Sequence, residues 1–442
     1  MLTSIPRDRL NEFFGIRSRM VALIVAIGFG GGVAGASYLW VLDVVSEHIG
    51  PERWRSGSQV AVLVATGIAV SLLIKLLGRT ADVELLVGNI HVSGTTDHDN
   101  DHDNETAGTR RPDADGRLRS LIPVSLLCIG AGGTLGPEAP LVTMTGTLAT
   151  RVAKRAEVNA ADRRVLAITG MAAGFSVLFG APLGAAVFAL EIPHRRGLEY
   201  YEALVPAVMG AVCGFAVSTA FGGLGLEPIW NLPGSDLVSE VDLLWAVGAG
   251  VLGAAIGVVF TVLVDLLHWA MTKIPPPGRP VVGGIVLGAL ALLSPYALTN
   301  GEVQILTLGS TAPIATTLVV AGLVKLAAAA VALATGWRGG FIIPLFFTGY
   351  ALGWVVADAL SIDHRWMFVA ATMVAANVAV TKTPLGSTLV VTEMSGLRLG
   401  PVVIIGALTS LVLTSPIGLI ENQRRRLDAF QPTDVDIDSS IT

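Results

Sequence analysis

Charge is scarce in this sequence. Only 14% of its 442 residues are Asp, Glu, Lys or Arg, where an average soluble domain carries about a quarter. The shortage runs the whole length, which excludes a string of soluble domains and argues for a chain immersed in lipid. Cysteine is nearly absent: Cys128 and Cys213 are the only two, both inside apolar runs. That excludes a disulfide framework and a cysteine metal cluster. No His-Glu-x-x-His and no Gly-x-Ser-x-Gly occurs, and the seven histidines are scattered. Nothing therefore points to a membrane-embedded metalloprotease or serine hydrolase. No motif calls for a cofactor, and none for a nucleic acid.

What is present is apolar residue and glycine. Hydrophobic residues make up 52% of the chain and mean hydropathy is +0.67, with 51 glycines. Long apolar spans run over about 20–42, 59–77, 203–221, 243–267, 281–298 and 316–335. A helix crossing a bilayer needs about 20 such residues, so each qualifies. Shorter stretches, broken by Gly or Pro, cover 121–129, 141–149, 165–177, 183–190, 341–352 and 385–391. They read as half-helices. Broken backbone at membrane depth is tolerated only where it is buried in protein or lines a wet cavity, so the pattern predicts an enclosed polar path.

Arg7, Arg9, Arg17 and Arg19 precede the first span. That span is too long for a cleavable signal. Basic residues recur at Arg110, Arg111, Arg117 and Arg119, at 151–164, at Arg195 and Arg196, at Lys273 and Arg279, and at 424–426; the stretches 222–240 and 299–313 have no Lys or Arg. By the positive-inside rule both termini are cytoplasmic and those two loops face outward. Trp230, Trp245 and Trp269 suit the membrane interfaces. The polar stretch 95–116 contains Asp-His-Asp-Asn twice in a row. It reads as a solvated cytoplasmic loop, with a metal-binding tract as the alternative.

An internal repeat organises the whole. Met171, Ala173, Pro182, Leu183, Gly184 and Glu191 match Met373, Ala375, Pro384, Leu385, Gly386 and Glu393, each pair 202 positions apart. Just upstream, Gly133, Gly136, Thr145 and Gly146 match Gly336, Gly339, Thr348 and Gly349. Transporters built from duplicated halves bind their cargo where helix starts from both halves converge. Here the paired starts are 130–140, Gly-Ala-Gly-Gly-Thr-Leu-Gly-Pro-Glu-Ala-Pro, and 336–344, Gly-Trp-Arg-Gly-Gly-Phe-Ile-Ile-Pro. A helix start offers unpaired N–H groups and a partial positive charge, which suit an anion without trapping it. Pro137 fits a first helical turn, and Glu138 follows it there. A carboxylate at that place is held as an anion would be and leaves when protonated or displaced. An ionisable residue inside a membrane span is a functional candidate by default. Glu191 and Glu393 suit a shared structural role in the two repeats as well as a transport role. Lys325 lies in an apolar span, placed to snorkel or to pair with a carboxylate.

These residues resemble the CLC family of chloride channels and proton-coupled chloride exchangers. Gly136-Pro137-Glu138-Ala139-Pro140 is similar to that family's Gly-Lys/Arg-Glu-Gly-Pro motif. The run Gly339-Gly340-Phe341-Ile342-Ile343-Pro344 is similar to its Gly-x-Phe-x-Pro motif, with the aromatic one place early. Ala181-Pro182-Leu183 and Thr383-Pro384-Leu385, each with a downstream Glu, also look family-like. The resemblance implies an all-α integral membrane protein with an inverted repeat of many tilted and broken helices. It implies a cytoplasmic segment 1–19, a transmembrane domain 20–426 with halves at about 20–224 and 241–426, and a cytoplasmic tail 427–442. It also implies a homodimer in the cell membrane, multi-pass, with one pore per subunit for chloride or another small anion. Glu138 would be the gating glutamate, with anion contacts from Gly340, Phe341 and Ile342 and from Gly88, Asn89 and Ile90.

Three departures bear on coupling. The family's pore serine falls at Gly88, leaving Asn89 as the side chain to replace it; its inner pore tyrosine falls at Gly418; and its inner proton-transfer glutamate falls at Ile192. The expected function is therefore gated transport of chloride or a similar anion, with a proton-coupled chloride or fluoride antiporter as the alternative.

Overall fold

The computed structural model describes residues 7–54, 56–78, 80, 114–194, 201–221, 229–230, 232, 238–311, 313–395 and 399–420. These hold fifteen α-helices and no strand beyond one isolated bridge. The first half contains α1 (Arg7–Ile49), α2 (Ser56–Leu77), α3 (Ala114–Gly130), α4 (Glu138–Arg155), α5 (Ala160–Phe179), α6 (Pro182–Glu191) and α7 (Leu204–Ala220). The second contains α8 (Glu240–Met271), α9 (Arg279–Leu293), α10 (Glu302–Thr311), α11 (Ala315–Ala334), α12 (Ile342–Ala359), α13 (Arg365–Thr381), α14 (Pro384–Ser395) and α15 (Gly400–Thr414).

The two halves are punctuated alike. Positive φ occurs at Gly132 and Gly336 (91° and 83°), at Glu157 and Ser361 (55° and 52°), and at Gly180 and Lys382 (61° and 60°). The last pair ends α5 and α13 in left-handed caps. Pro182 and Pro384 then open α6 and α14, a position where the missing N–H costs little. At the cap where a lysine replaces glycine, Lys382 is buried and its Nζ donates to the Ala379 carbonyl and to the Thr414 carbonyl and hydroxyl. Three polar contacts offset the conformational cost there.

Glycine explains how so many helices pack. Gly28 and Gly32 on α1 meet Gly210 and Gly214 on α7, while Gly253 and Gly257 on α8 receive Ala375 and Ala379 on α13. Each pair is spaced four apart, on one helix face, and lets backbones approach where lipid offers no hydrophobic drive. Against this close-packed interior stand exposed apolar side chains such as Trp40, Leu76, Leu244 and Val412. Among the described residues six segments are long and apolar enough to cross a membrane: Ser18–Arg53, Gly57–Leu77, Glu240–Met271, Pro276–Leu293, Ala315–Ala334 and Ile342–Ala359.

Several expectations change. The stretches read as half-helices at 141–149, 165–177 and 341–352 belong to α4, α5 and α12, of 18, 20 and 18 residues. The C-terminal end of α4 and the start of α5 are charged, so an apolar window stops short of them. The span 281–298 is cut at Leu293, before a separate turn Pro295–Ala297. The stretch 299–313 is not all loop, since it holds α10. Neither α13 nor α15 was singled out, because threonine and small residues interrupt their apolar runs. Trp230 does not face outward: its side chain is fully buried, its backbone N–H donates to the Met394 carbonyl at 2.8 Å, and its ring meets Phe346 edge-on. The Asp-His stretch lies outside the described residues.

Candidate functional site

The starts of α4 and α12 face each other. Gly136 N–H donates to the Gly340 carbonyl at 2.8 Å and Gly340 N–H returns the bond to Gly136 at 2.6 Å. This antiparallel bridge is one of the places where the two half-repeats touch. Around it the loops interlock: Thr299 N–H donates to the Gly132 carbonyl, and Trp337 Nε1 donates to the Pro280 carbonyl.

Glu138 is the first residue of α4, and only 1% of it is exposed. Its side chain crosses the bridge instead of lying along its own helix. Oε1 accepts the Ile343 N–H of α12 at 2.7 Å, and Oε2 is buried with no hydrogen-bond partner. A Cβ at either Gly136 or Gly340 would collide with that carboxylate. The two glycines thus form the seat, and the first-turn amides of an 18-residue helix supply its positive end. A carboxylate here is the chemical stand-in for a small anion.

The expected residues fall as follows. Glu138, Gly340, Phe341 and Ile342 come together, and all four line one cavity of about 430 Å³. The amide that holds the carboxylate belongs to Ile343, which the sequence reading left out. Pro344 was the available signal, since it marks the first turn of α12 and so points to the N–H just before it. Gly88, Asn89 and Ile90 lie outside the described residues. Ile192 also lines this cavity, and Gly418 is followed there by Leu419 and Ile420. Sequence reasoning also missed Thr143 and Arg338, which share the cavity with Arg279 and His268.

A second cavity, about 960 Å³, lies across Pro137 and is lined by Asp43, Ser46, Thr299, Asn300 and Glu302 among others. Pro137 lines the second cavity and Glu138 the first. Glu138 therefore stands at the boundary between two spaces. The first carries basic side chains and the second carboxylates.

The other singled-out charges have structural surroundings. Lys325 neither snorkels nor meets a carboxylate. It is fully buried, donates to the carbonyls of Leu298 (2.8 Å) and Thr299 (2.6 Å), and lies over the Phe347 ring. It anchors the turn beside the second cavity. Glu191, at the end of α6, accepts the N–H groups of Leu385 (3.2 Å) and Gly386 (2.7 Å) at the start of α14. Glu393 reaches back to Gly184 N–H of α6 at 3.4 Å. Each half caps the other. Among the described residues no cluster of three His, Cys, Asp or Glu is placed to hold a metal.

Comparison with known proteins agrees with this geometry. The chain is similar to a chloride/fluoride channel protein of Pseudomonas syringae pv. tomato, 26% identical over 431 residues, covering 92% of this chain and 86% of that one. Among solved structures it resembles a CLC-type fluoride/proton antiporter, with a TM-score of 0.78, 20% identity, and coverage of 92% of this chain and 98% of the other. A slow cyanobacterial Cl⁻/H⁺ antiporter gives a TM-score of 0.76 at 17% identity, covering 90% of this chain and 94% of the other. The voltage gated chloride channel family matches residues 118–415, more than half of the sequence, and the chain belongs to that family of membrane anion transporters.

Proposed function

We propose that this protein moves chloride, fluoride or a similar small anion across a cell membrane, and that Glu138 gates the path. The observation that carries the reading is the half-satisfied carboxylate. Glu138 occupies the amide-rich start of α12 through one hydrogen bond, with Oε2 unpaired, between two cavities. A buried polar atom without a partner is costly, so this seat holds Glu138 loosely. A permeating anion competes for the same N–H groups. Protonation removes the charge that the helix start attracts. Either event frees the seat.

The distribution of basic residues supports reading the Arg338 cavity as cytoplasmic and the Asp43 and Glu302 cavity as external, with both termini cytoplasmic. Exposed apolar side chains on α6, α14 and α15, including Leu183, Leu385 and Val412, support a homodimer.

Proton-coupled antiport is the second reading. It is favoured by the protonatable gate and by the likeness of the fold to two solved antiporters. Against tight coupling, Ile192 lines the inner cavity with a side chain that carries no proton. Flux from reconstituted liposomes with simultaneous pH recording separates the two. Uphill proton movement driven by an anion gradient selects the antiporter; anion flux without it selects the channel. No anion flux of either kind rejects both.

A further inference from the structure

Threonine in a helix ordinarily returns its hydroxyl to the carbonyl one turn back. This chain follows that habit: Thr145, Thr150, Thr169, Thr261, Thr348 and Thr372 all donate to the carbonyl four residues before them. Thr143 does not. It sits on α4, one turn beyond Ala139, is 2% exposed, and its buried Oγ1 has no hydrogen-bond partner. Buried polar side-chain atoms are mostly paired, and an exception asks for an explanation. Thr143 also lines the cavity that holds Glu138, Phe341 and Ile342.

We propose that Thr143 is an anion-coordinating and specificity-determining residue. Its hydroxyl donates to a halide resting in the cytoplasmic-side cavity against the first-turn amides of α12. This rests on the reading of that cavity as the anion path and deepens it. The amides of Phe341 and Ile342 find no carbonyl within their own helix. Thr143 adds an uncharged hydroxyl to a lining whose other polar side chains include Arg338, Arg279, His268 and Thr381. A single hydroxyl completes the shell with no fixed charge, so the anion is held but still leaves. Fluoride, the smaller and stronger hydrogen-bond acceptor, gains more from this donor than chloride does. The hydroxyl would thus tilt the pore toward fluoride.

Thr143→Val keeps the shape and removes the donor, whereas Thr143→Ser keeps the donor. Chloride and fluoride uptake into liposomes containing the full-length protein reads half-saturation. One lost hydrogen bond to a charged acceptor corresponds to about ten- to hundredfold weaker binding. The expected result is half-saturation raised by about that factor in Thr143→Val, more for fluoride than chloride, with Thr143→Ser near wild type. Should Thr143→Val not fold, Thr143→Ala against Thr143→Ser, with halide binding read by titration calorimetry, makes the same contrast. Unchanged half-saturation in a valine variant whose flux still depends on Glu138 overturns the assignment and leaves the proposed function standing. So does lower thermal stability without any loss of affinity, since the hydroxyl would then serve only the fold. A wild-type protein that moves neither halide rejects the underlying reading of the cavity instead.

Discussion

Glu191 and Glu138 are both buried, and both rest on the start of a helix from the other half of the chain. Glu191 spends both oxygens: Oε1 takes Leu385 N–H and Oε2 takes Gly386 N–H. Glu138 spends one, on Ile343, and leaves Oε2 unpaired. The chemistry is the same, a carboxylate on a helix dipole. The completeness differs. A carboxylate with both oxygens bonded has no lower state to move to, and it clamps α6 to α14. Glu191 ends its own helix, where the local dipole disfavours a negative charge, so the amides of α14 are what make its position stable. Glu138 starts its own helix and borrows the other's amide, so it stays favourable near either. That difference separates a clamp from the gate we propose.

The strongest way to break the comparison is to remove each carboxylate in turn. Glu191→Ala strips two hydrogen bonds to a charged group, each contributing about 1.5–3 kcal/mol. Its thermal unfolding in detergent should fall clearly below wild type, with less folded protein recovered. Glu138→Ala strips one bond and relieves an unpaired oxygen, so unfolding should stay near wild type while flux changes. Equal losses of stability would erase the distinction.

Filling the seat is the next test. In Gly340→Ala the new Cβ collides with the Glu138 carboxylate, which then cannot lie across the bridge. Flux should become less dependent on pH, as though the gate were propped open. Gly400, whose Cβ meets nothing within 4 Å, supplies the control: Gly400→Ala should behave as wild type. An unaltered pH profile in Gly340→Ala would show that the carboxylate does not need this seat.

The smallest expected effect concerns the two cavities. Arg338, Arg279 and His268 line one, Asp43 and Glu302 the other. Arg338→Gln should weaken anion uptake from the cytoplasmic side, and Glu302→Gln should strengthen it from outside, each by about twofold. Impermeant salt should shrink both differences only in part, since both side chains are half-buried and such charges are screened less than exposed ones. Inverted and right-side-out membrane vesicles give the two directions.

Much of this was legible in the sequence. The repeat was visible because φ-restricted residues such as Pro182 and Pro384 recur at fixed spacing. Glu138 was visible because a charge in an apolar run stands out. Helix ends were poorly legible where charged residues extend a helix past its apolar part, as at Arg151–Arg155 in α4 or Asp162–Arg164 in α5. Lys325 misled because its partners are backbone carbonyls, which no side-chain pattern reveals. Ile343 and Thr143 were hidden for related reasons: one acts through an N–H that every residue has, the other through a missing bond that only coordinates expose.

The most direct measurement is halide flux with simultaneous pH recording for wild type and Glu138→Gln across a range of pH. Acid neutralises Glu138 and frees its seat, so wild-type flux should rise as pH falls. The glutamine variant, already uncharged, should run at a high, pH-independent rate and move no protons. A Glu138→Gln protein whose flux keeps the wild-type pH profile would contradict the account.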